Sequence, residues 1–282
     1  MYNDAIAAGG LAVVTGAASG VGKVAALRYA EAGLGVILAD LPGEKLDEAT
    51  AEVRAAASTG VHVASAPTDV SSDADLAALA DTAFSAGEVA VLMNNAGIGG
   101  LSTSPWDGME NWDRLLDVNF KGVLRGLHAF VPRMIEANRP AVIANTGSKQ
   151  GITTPPGNPA YNVSKAAVRI VTEQLAHELR KAEAPISAHL FVPGFTYTGM
   201  IASFMPEKPA AAWTSEEAVD YFLSRMANGD FYILCPDNDV DETRDGRRVT
   251  WAAQDVAQNR PALSRWHPDH ADAFAAFEKG EG

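Results

Sequence analysis

Short apolar runs alternate with longer segments of helical periodicity along the first two thirds of the chain. Each run is rich in β-branched or other apolar residues, which is typical of a buried strand. The runs are LAVVT, GVILAD, VHVASA, VAVLM, AVIAN and ISAHLFV. Helices are predicted between them, in KVAALRYAEAG and at residues 44–57, 73–86, 112–137 and 159–181. Because strands and helices alternate with short connections, the pattern predicts a mostly parallel sheet with helices on both faces.

The alternation weakens after residue 193. An aromatic stretch rich in Met and Pro follows, and we interpret residues 195–230 as a substrate lid, although its apolar residues could instead belong to the core. Those residues are Phe195, Tyr197, Met200, Phe204, Met205 and Trp213. A further helix is predicted at 215–227, a last strand in FYIL, and a charged helical tail at 236–282. Because repeats and flexible linkers are absent, the sequence predicts one domain over 1–282, with its core at about 11–235.

Composition narrows the range of partners. The 282 residues carry a formal net charge of −13, which argues against nucleic acid or an anionic membrane surface as a partner. Cys235 is the single cysteine, which excludes an internal disulfide and fits a reducing compartment. The first residues lack the pattern of a signal peptide, and no apolar run reaches the ~18 residues of a membrane span. These features predict a cytoplasmic protein. His267 and His270 are too isolated from other ligand types to predict a metal site.

The octapeptide TGAASGVG, which begins at Thr15, joins the first predicted strand to the first predicted helix. Glycines here allow a tight turn and a close approach of the backbone to a pyrophosphate, whose charge is attracted by the helix N-terminus. An ordinary Gly-rich turn is the alternative. Asp40, at the end of the second run, favours the cofactor interpretation, because its carboxylate can accept hydrogen bonds from an adenosine ribose and repel a 2′-phosphate. Since neither Ser19 nor Leu41 supplies a cation, NAD is predicted over NADP.

Two further stretches, Asp69-Val70 and NNAG at residues 94–97, follow the third and fourth runs. Both fall on the same carboxyl edge of the predicted sheet. Asp69 could hydrogen-bond an adenine amino group, and the small Ala-Gly pair lets the backbone approach a ligand. Asn, Asp and Gly are also ordinary turn residues, so each stretch alone would favour a turn. Beside the glycine loop, we interpret them as parts of the cofactor site.

The strongest catalytic candidates are Ser148, Tyr161 and Lys165. Ser148 follows the AVIAN run, at the edge where ligand crevices form in open α/β sheets. Asn158-Pro159 predicts a helix start, with Asn as the cap, so that Tyr161 and Lys165 lie one turn apart on one face. A free phenol, with a pKa near ~10, is a poor base at neutral pH, but a nearby ammonium and an oxidised nicotinamide both favour the phenolate. A surface Tyr–Lys pair is the alternative.

Asn119 lies in the predicted 112–137 helix, between two apolar neighbours. A buried amide needs hydrogen-bond partners. Asn119 is therefore either a satisfied core residue or the holder of a water near the catalytic lysine, and the sequence leaves both interpretations open.

The chain resembles the short-chain dehydrogenase/reductase family in the order and spacing of TGAASGVG, Asp40, Asp69, NNAG, Asn119, Ser148 and YNVSK. The resemblance extends from about residue 11 to residue 198. It implies a Rossmann-type doubly wound sheet and a homo-oligomer, either a tetramer or a dimer. The cofactor residues that it implies are Gly16, Ser19, Gly20, Val21, Asp40, Asp69, Val70, Asn95, Gly97, Tyr161, Lys165, Pro193, Gly194 and Thr196.

The same resemblance implies a role for each catalytic candidate. Tyr161 would be the general acid/base, and Ser148 would polarise the substrate oxygen. Lys165 would bind the nicotinamide ribose and lower the tyrosine pKa. Asn119 would anchor a water in a proton relay.

The sequence therefore predicts an NAD-dependent oxidoreductase that interconverts a secondary alcohol and a ketone, with an apolar body on the substrate. The chain departs from the family at its end, where FYILCPDND and a long tail replace the common Gly-rich ending. This tail could cover a substrate pocket, its own or a neighbour's. Two alternatives stay open, an NAD-using dehydratase or epimerase and a non-catalytic NAD-binding sensor or scaffold protein. The complete Ser–Tyr–Lys set argues against the sensor, because a pure binder needs no general base.

Overall fold

Seven strands form one parallel sheet over residues 2–99, 104–202 and 205–281, the part of the chain that the computed structural model describes. The strands are β1 (Leu11–Thr15), β2 (Gly35–Asp40), β3 (Val63–Pro67), β4 (Val89–Asn94), β5 (Ala141–Thr146), β6 (Ile186–Val192) and β7 (Tyr232–Leu234). Each coincides with a predicted run to within two residues at either end. The parallel pairing and the helices around the sheet confirm the predicted Rossmann-type, doubly wound fold.

The strand order is β3-β2-β1-β4-β5-β6-β7, so β1 lies between β2 and β4. Val13 of β1 is opposite Ile37 on one side and Leu92 on the other. The chain builds one side of the sheet from β1 to β3 and then continues at β4 on the other side. Such a reversal opens a crevice at the carboxyl ends of the two central strands. The fold therefore brings TGAASGVG and NNAG to the same crevice.

Helices cover both faces of the sheet. Within the described residues they are α1 (Tyr2–Ala8), α2 (Gly20–Glu31), α3 (Glu44–Ala56), α4 (Asp73–Ala86), α5 (Met109–Leu116), α6 (Gly122–Ala137), α7 (Gln150–Thr153), α8 (Pro159–Lys181), α9 (Gly199–Ala202), α10 (Ser215–Ala227), α11 (Glu242–Ala257) and α12 (Ala271–Lys279). The sequence did not predict α1, α7 or α9. None of the described helices is both long and apolar enough to cross a bilayer.

The predicted helix at 112–137 begins earlier and is irregular. It starts with α5 at Met109, passes through a π-helical turn at Asp117–Lys121, and continues as α6. A π turn makes i→i+5 hydrogen bonds and is frequent at functional sites. This one carries Asn119.

The sheet has a hydrophobic core on each face. Ala12 and Val14 of β1 pack in the core that includes α2, α3 and α10, whereas Leu11 and Val13 pack in the core that includes α4, α6 and α8. Successive side chains of a strand point to opposite faces, so both sets are buried. This two-sided burial explains why the runs are apolar throughout rather than alternating.

The C-terminal tail is helical, as the sequence predicts, and α11 packs against α12. The Trp251 ring lies 5.4 Å from that of Phe274 and 5.2 Å from that of Phe277, measured between ring centroids. Glu278 accepts hydrogen bonds from two arginines of α11. Partial burial opposes ionisation of Glu278, but the guanidinium groups outweigh it and lower the Glu278 pKa to about 2.

A chain of buried polar side chains connects β4, β5 and α8. Asn94 Nδ2 donates to Asn145 Oδ1 (2.9 Å), and Asn145 Nδ2 donates to Thr172 Oγ1 (3.0 Å). Thr172 in turn donates to the Val168 carbonyl (2.7 Å). The three polar side chains are at most 3% exposed. Each bond therefore satisfies a group that water does not reach.

Thr172→Val should lower the free energy of unfolding by about 1–3 kcal/mol, because it keeps the side-chain shape but leaves the buried Asn145 amide without its acceptor. Urea denaturation followed by circular dichroism measures the loss. Thr82→Val is the matched control, since Thr82 lies exposed on α4 and should change stability by less than about 0.5 kcal/mol. Equal stabilities of the two variants would contradict a stabilising role for the hydrogen bonds that join Asn94, Asn145 and Thr172.

Candidate active site

Ser148, Tyr161 and Lys165 lie together at the carboxyl end of β5. Ser148 follows β5 by two residues, and Tyr161 and Lys165 occupy successive turns of α8. The Ser148 hydroxyl is hydrogen-bonded with the Tyr161 phenol. The Lys165 ammonium lies 5.9 Å from the centre of the Tyr161 ring. The fold thus assembles the hydroxyl, phenol and ammonium that the sequence singles out.

The helix that carries Tyr161 and Lys165 begins at Pro159, as the sequence predicts, but the predicted cap is not formed. Asn158 stands at the N-cap with φ −145° and ψ 59°, and its side chain makes no capping hydrogen bond. A capping side chain needs an extended backbone to reach the first-turn N–H groups, so the prediction of an Asn158 cap was wrong. Instead, Asn162 Nδ2 donates to the Pro155 carbonyl (2.7 Å) and holds the first turn.

Lys165 is almost completely buried, with 4% of its surface exposed. Its Nζ donates to the Thr146 carbonyl at the end of β5 (2.9 Å). Its backbone packs closely on Gly151, where a Cβ atom would lie 2.5 Å from the Lys165 carbonyl carbon. Burial lowers the pKa of Lys165 to about 8, because the charged form loses its hydration.

Burial raises the pKa of the Tyr161 phenol, and the hydrogen bond with Ser148 offsets only part of the rise. The prediction from the sequence considered the Lys165 ammonium and an oxidised nicotinamide, which favour the phenolate, and did not include this cost of burial. In the protein alone the phenol is therefore protonated at neutral pH. A positive charge brought next to Tyr161 would favour the phenolate.

Asn119 is fully buried in the π turn. Its Oδ1 accepts the Ile98 N–H (2.7 Å), and its Nδ2 donates to the Ile98 carbonyl (3.0 Å) and to Ser164 Oγ (3.3 Å). The side chain therefore joins the loop after β4 to α8. A Cβ atom on Gly97 would lie 3.2 Å from Asn119 Oδ1 and 3.5 Å from Lys165 Nζ. Of the two interpretations of Asn119, these contacts support the core residue whose hydrogen bonds are satisfied within the protein. They also place Asn119 near Lys165.

The glycine loop has the geometry of an anion-binding turn. Gly16 (φ 69°) and Gly20 (φ 54°) adopt the left-handed conformation that glycine tolerates best. A Cβ atom on Gly16 would lie 2.7 Å from Ala96 Cα, so the loops after β1 and β4 meet without room for a side chain. Ser19 is the N-cap of α2, but its side chain makes no capping hydrogen bond. The first-turn N–H groups of α2, which include that of Val21, therefore fit a pyrophosphate.

Asp40 ends β2 beside this loop. Its Oδ2 accepts the Ala18 N–H, and its Oδ1 accepts the Leu41 N–H, both at 2.8 Å. The carboxylate thus braces the glycine loop and keeps a negative charge at the edge of the crevice. Lys23, the first cation of α2, is paired with Glu52 at 2.6 Å.

Asp69 and Val70 make turn and core contacts. Asp69 Oδ1 accepts hydrogen bonds from the Ser71 N–H (2.9 Å) and the Ser71 hydroxyl (2.7 Å). Val70 is buried, and its side chain packs on Gly122 of α6. These contacts match the turn alternative that the sequence left open. An adenine contact by Asp69 stays a prediction.

Asn95 ties together the ends of β1, β4 and β5. Its N–H donates to Thr15 Oγ1 (2.9 Å), its Nδ2 donates to the Thr15 carbonyl (3.1 Å), and its Oδ1 accepts from Thr146 Oγ1 (3.2 Å). Sequence reasoning missed Thr15 and Thr146. Each stands directly before a glycine at the end of a buried strand, and this repeated Thr-Gly pair is the signal that could have found them.

Residues 193–196 run beside the segment that follows β7. Thr196 Oγ1 donates to the Gly194 carbonyl (3.3 Å). A Cβ atom on Gly194 would lie 2.6 Å from the Pro236 carbonyl oxygen, so only glycine fits there. Pro193 begins this segment directly after β6.

The predicted lid at 195–230 has two different parts. Its first part reaches the crevice: a Cβ atom on Gly20 would lie 3.3 Å from Thr198 Cγ2, and one on Gly99 would lie 3.1 Å from Met200 Sδ. Its second part is α10, whose Phe222 is buried in the core. Phe204 lies outside the described residues. A lid function therefore stays a prediction, for the first part alone.

A cavity of about 410 Å³ lies between α11 and the turn at Thr153 and Thr154. Arg248, Trp251 and Arg265 of the tail line it. Its lining includes none of the three catalytic candidates, so this cavity is not the pocket in which they would act.

Comparisons with known proteins agree with this geometry. A family model described as short chain dehydrogenase matches residues 10–209. A 1-deoxy-11-beta-hydroxypentalenate dehydrogenase of Streptomyces exfoliatus is 35% identical over 261 residues, which cover 90% of this chain and 93% of that protein. A 3beta-hydroxysteroid dehydrogenase 1 of Eggerthella lenta is 34% identical over 283 residues, which cover 100% of both chains.

Two solved structures are similar over most of their length. A short chain dehydrogenase/reductase from Burkholderia phymatum in complex with NAD has a TM-score of 0.80 and 30% identity, covering 89% of this chain and 95% of that one. A short-chain dehydrogenase from Sphingobium yanoikuyae in complex with NADPH has a TM-score of 0.72 and 26% identity, covering 89% and 94%. Because the two carry different dinucleotides, the likeness does not assign one of them to this chain.

Lys165→Met should change how stability depends on pH in the cofactor-free protein. The pKa of Lys165 is about 8 in the folded protein against an ordinary value of 10.5. Between these values the unfolded chain binds more protons, so wild-type stability rises with pH. Relative to the variant, the wild-type unfolding free energy should rise by about 2 kcal/mol from about pH 7 to pH 9.5.

Urea denaturation at a series of pH values measures this difference. Lys181→Met is the control, because Lys181 is an exposed lysine on the same helix and its difference from wild type should stay constant. A Lys165→Met difference that does not vary with pH would contradict a buried, weakly basic Lys165.

Proposed function

The chain belongs to the short-chain dehydrogenase family, and we propose that it is an NAD-dependent oxidoreductase that interconverts a secondary alcohol and a ketone. The observation that carries the proposal is the cluster of Ser148, Tyr161 and Lys165 beside the loops that follow β1 and β4. A phenol with a hydroxyl and an ammonium next to it is suited to moving a hydroxyl proton. Two relatives are named for the dehydrogenation of a hydroxypentalenate and of a 3beta-hydroxysteroid, which supports a hydroxyl as the reacting group.

The cofactor in this proposal is NAD, held at the carboxyl edge of the sheet. It would accept the hydride when bound. The glycine loop would hold the pyrophosphate at the start of α2. Asp40 would accept hydrogen bonds from the adenosine ribose, and its charge would repel a 2′-phosphate. Neither Ser19 nor Leu41 carries a positive charge that could bind a 2′-phosphate, and Lys23 is paired with Glu52. Both observations support NAD over NADP.

The proton would move at Tyr161 Oη. In the oxidising direction the phenolate takes the proton of the substrate hydroxyl, and in the reducing direction the phenol returns it. Ser148 Oγ, already paired with the phenol, would donate a hydrogen bond to the substrate oxygen and hold it in place. Lys165, fixed by the Thr146 carbonyl, would stabilise the phenolate through its charge.

We further propose a substrate with an apolar body. Met200 and Met205 lie in the segment that follows β6 and are 37% and 46% exposed, and Met200 packs beside Gly99 of the loop after β4. Methionine side chains are flexible and adapt to irregular apolar surfaces. This segment would therefore contact the part of the substrate that does not react.

A cytoplasmic homo-oligomer, a dimer or a tetramer, completes the proposal. It rests on the family resemblance and on the single cysteine and the net charge of −13.

Tyr161→Phe should lower kcat for alcohol oxidation by at least about 100-fold, because positioned acid–base groups contribute about 10²–10⁴-fold. NADH binding, measured by fluorescence titration, should be nearly unchanged. The assay follows NADH formation across a panel of secondary alcohols that includes hydroxysteroids. Tyr232→Phe is the control, since Tyr232 is an exposed tyrosine whose hydroxyl bonds only a surface glutamate.

An unchanged rate in Tyr161→Phe would remove Tyr161 as the base. If the wild-type protein binds NADH but turns over none of the panel, the NAD-binding sensor becomes the better interpretation.

Asp40→Asn should narrow the preference for NADH over NADPH. The amide oxygen can still accept the Ala18 N–H, but the charge that repels a 2′-phosphate is gone. We expect wild-type protein to bind NADH at least about tenfold more tightly than NADPH, and the variant to bind NADPH about tenfold more tightly than wild type, which is about 1.4 kcal/mol. Asp47→Asn, which removes an exposed charge from α3, should change neither. Equal wild-type affinities would contradict the NAD assignment.

A further inference from the structure

A buried ion cluster lies directly beside Ser148 and belongs to none of the sites described above. The Lys149 ammonium lies 2.5 Å from Asp245 Oδ2 and 3.4 Å from Asp237 Oδ2. The side chains of Lys149, Asp245 and Asp237 are 18%, 6% and 9% exposed. Solvent screens such charges little, and removal of one partner leaves the other buried without a counter-charge.

This cluster joins three segments that are far apart in the sequence. Lys149 directly follows Ser148, Asp245 lies on α11, and Asp237 follows β7. Asp237 Oδ2 also accepts the Phe195 N–H (3.3 Å), within the segment at 193–196. The cluster therefore connects the C-terminal tail to the Ser148 turn and to the segment at 193–196.

The turn that carries Ser148 has little structure of its own. The Gly147 N–H donates to the Phe191 carbonyl (2.7 Å), and Ser148 Oγ accepts the Gln150 N–H (3.2 Å). α7, which follows, is only four residues long, and a helix of one turn is not stable by itself. The direction of the Ser148 side chain therefore depends on the packing of Gly151 on α8 and on what holds the next residue, Lys149.

We propose that Lys149 is a positioning residue, whose ion pairs with Asp245 and Asp237 lock the Ser148 turn to the C-terminal tail and so aim the Ser148 hydroxyl at the substrate oxygen. The proposal rests on the proposed function. Lys149 would not itself touch the substrate, because both of its carboxylate partners lie on the tail side. In this proposal the tail holds the Ser148 turn of its own subunit in place, rather than only covering a substrate pocket.

Hydrogen–deuterium exchange tests the tether without any substrate. In Lys149→Met the amides of residues 149–153 should exchange at least about tenfold faster than in wild type, because the turn loses its anchor. The double variant Lys149→Met/Asp245→Asn also removes the charge of the closer carboxylate, so that this carboxylate is not left buried without a counter-charge. It tests the tether even if Lys149→Met alone fails to fold. Lys181→Met, which removes an exposed ion pair with Glu178, should leave exchange in this turn unchanged. Unchanged exchange in both Lys149 variants would overturn the proposal.

Kinetics separate positioning from simple stabilisation. Lys149→Met should lower kcat about 10-fold or more, with little change in the NADH dissociation constant, because only the reacting geometry is disturbed. In a Ser148→Ala background the same substitution should have no further effect, since no hydroxyl is left to aim. Asp245→Asn and the double variant should resemble Lys149→Met, as expected for groups that act as one unit.

The outcomes of these experiments test the positioning role of Lys149 and the proposed function separately. Faster exchange with an unchanged kcat, or an equal loss of kcat in the Ser148→Ala background, would overturn the positioning role. If wild-type protein oxidises no alcohol of the panel, the proposed function fails, and the exchange result alone still decides whether Lys149 tethers the turn to the tail.

Discussion

A lysine ammonium buried at the end of a β-strand is the constraint on which the rest of the site depends. Lys165 fits there because the Thr146 carbonyl accepts its hydrogen bond and Gly151 leaves room for its backbone. Burial lowers the pKa of Lys165 to about 8 and raises that of Tyr161 above its ordinary value of 10.0. In the cofactor-free site the phenol therefore holds its proton more tightly than the ammonium does. A positive charge brought next to Tyr161 would favour its phenolate.

The same bonds that hold the strand ends together also shape the crevice. Asn95 links Thr15 and Thr146 across three strands, and Asp40 fixes the backbone of the glycine loop at Ala18. The sequence predicts that Asn95 and Asp40 meet a cofactor, and the structure shows the hydrogen bonds that their side chains make to protein groups. Hydrogen bonds of this kind, between protein groups, hold the strand ends and loops of the crevice in fixed positions.

The tail adds a second layer of support. Its two helices pack around Trp251 and carry Asp245 to the turn after β5. The short turn between Ser148 and α7 thereby gains an anchor from outside the sheet. The Lys149 ion pairs connect the Ser148 turn to the tail of the same subunit, whereas Asn119 of the π turn braces the loop after β4.

The strands, the sheet class, the glycine loop and the spacing of Tyr161 and Lys165 were all readable from the sequence, because each depends on residues close together in the chain. The tertiary structure decided what depends on distant partners and on burial. It placed a π turn at Asn119 and left Asn158 without its cap. It also added the cost of burial, which raises the Tyr161 pKa, because desolvation depends on everything packed around a group. The Lys149 cluster could not be predicted from the sequence either, because Asp237 lies 88 residues from Lys149. Only the folded chain brings these two charges together and buries them.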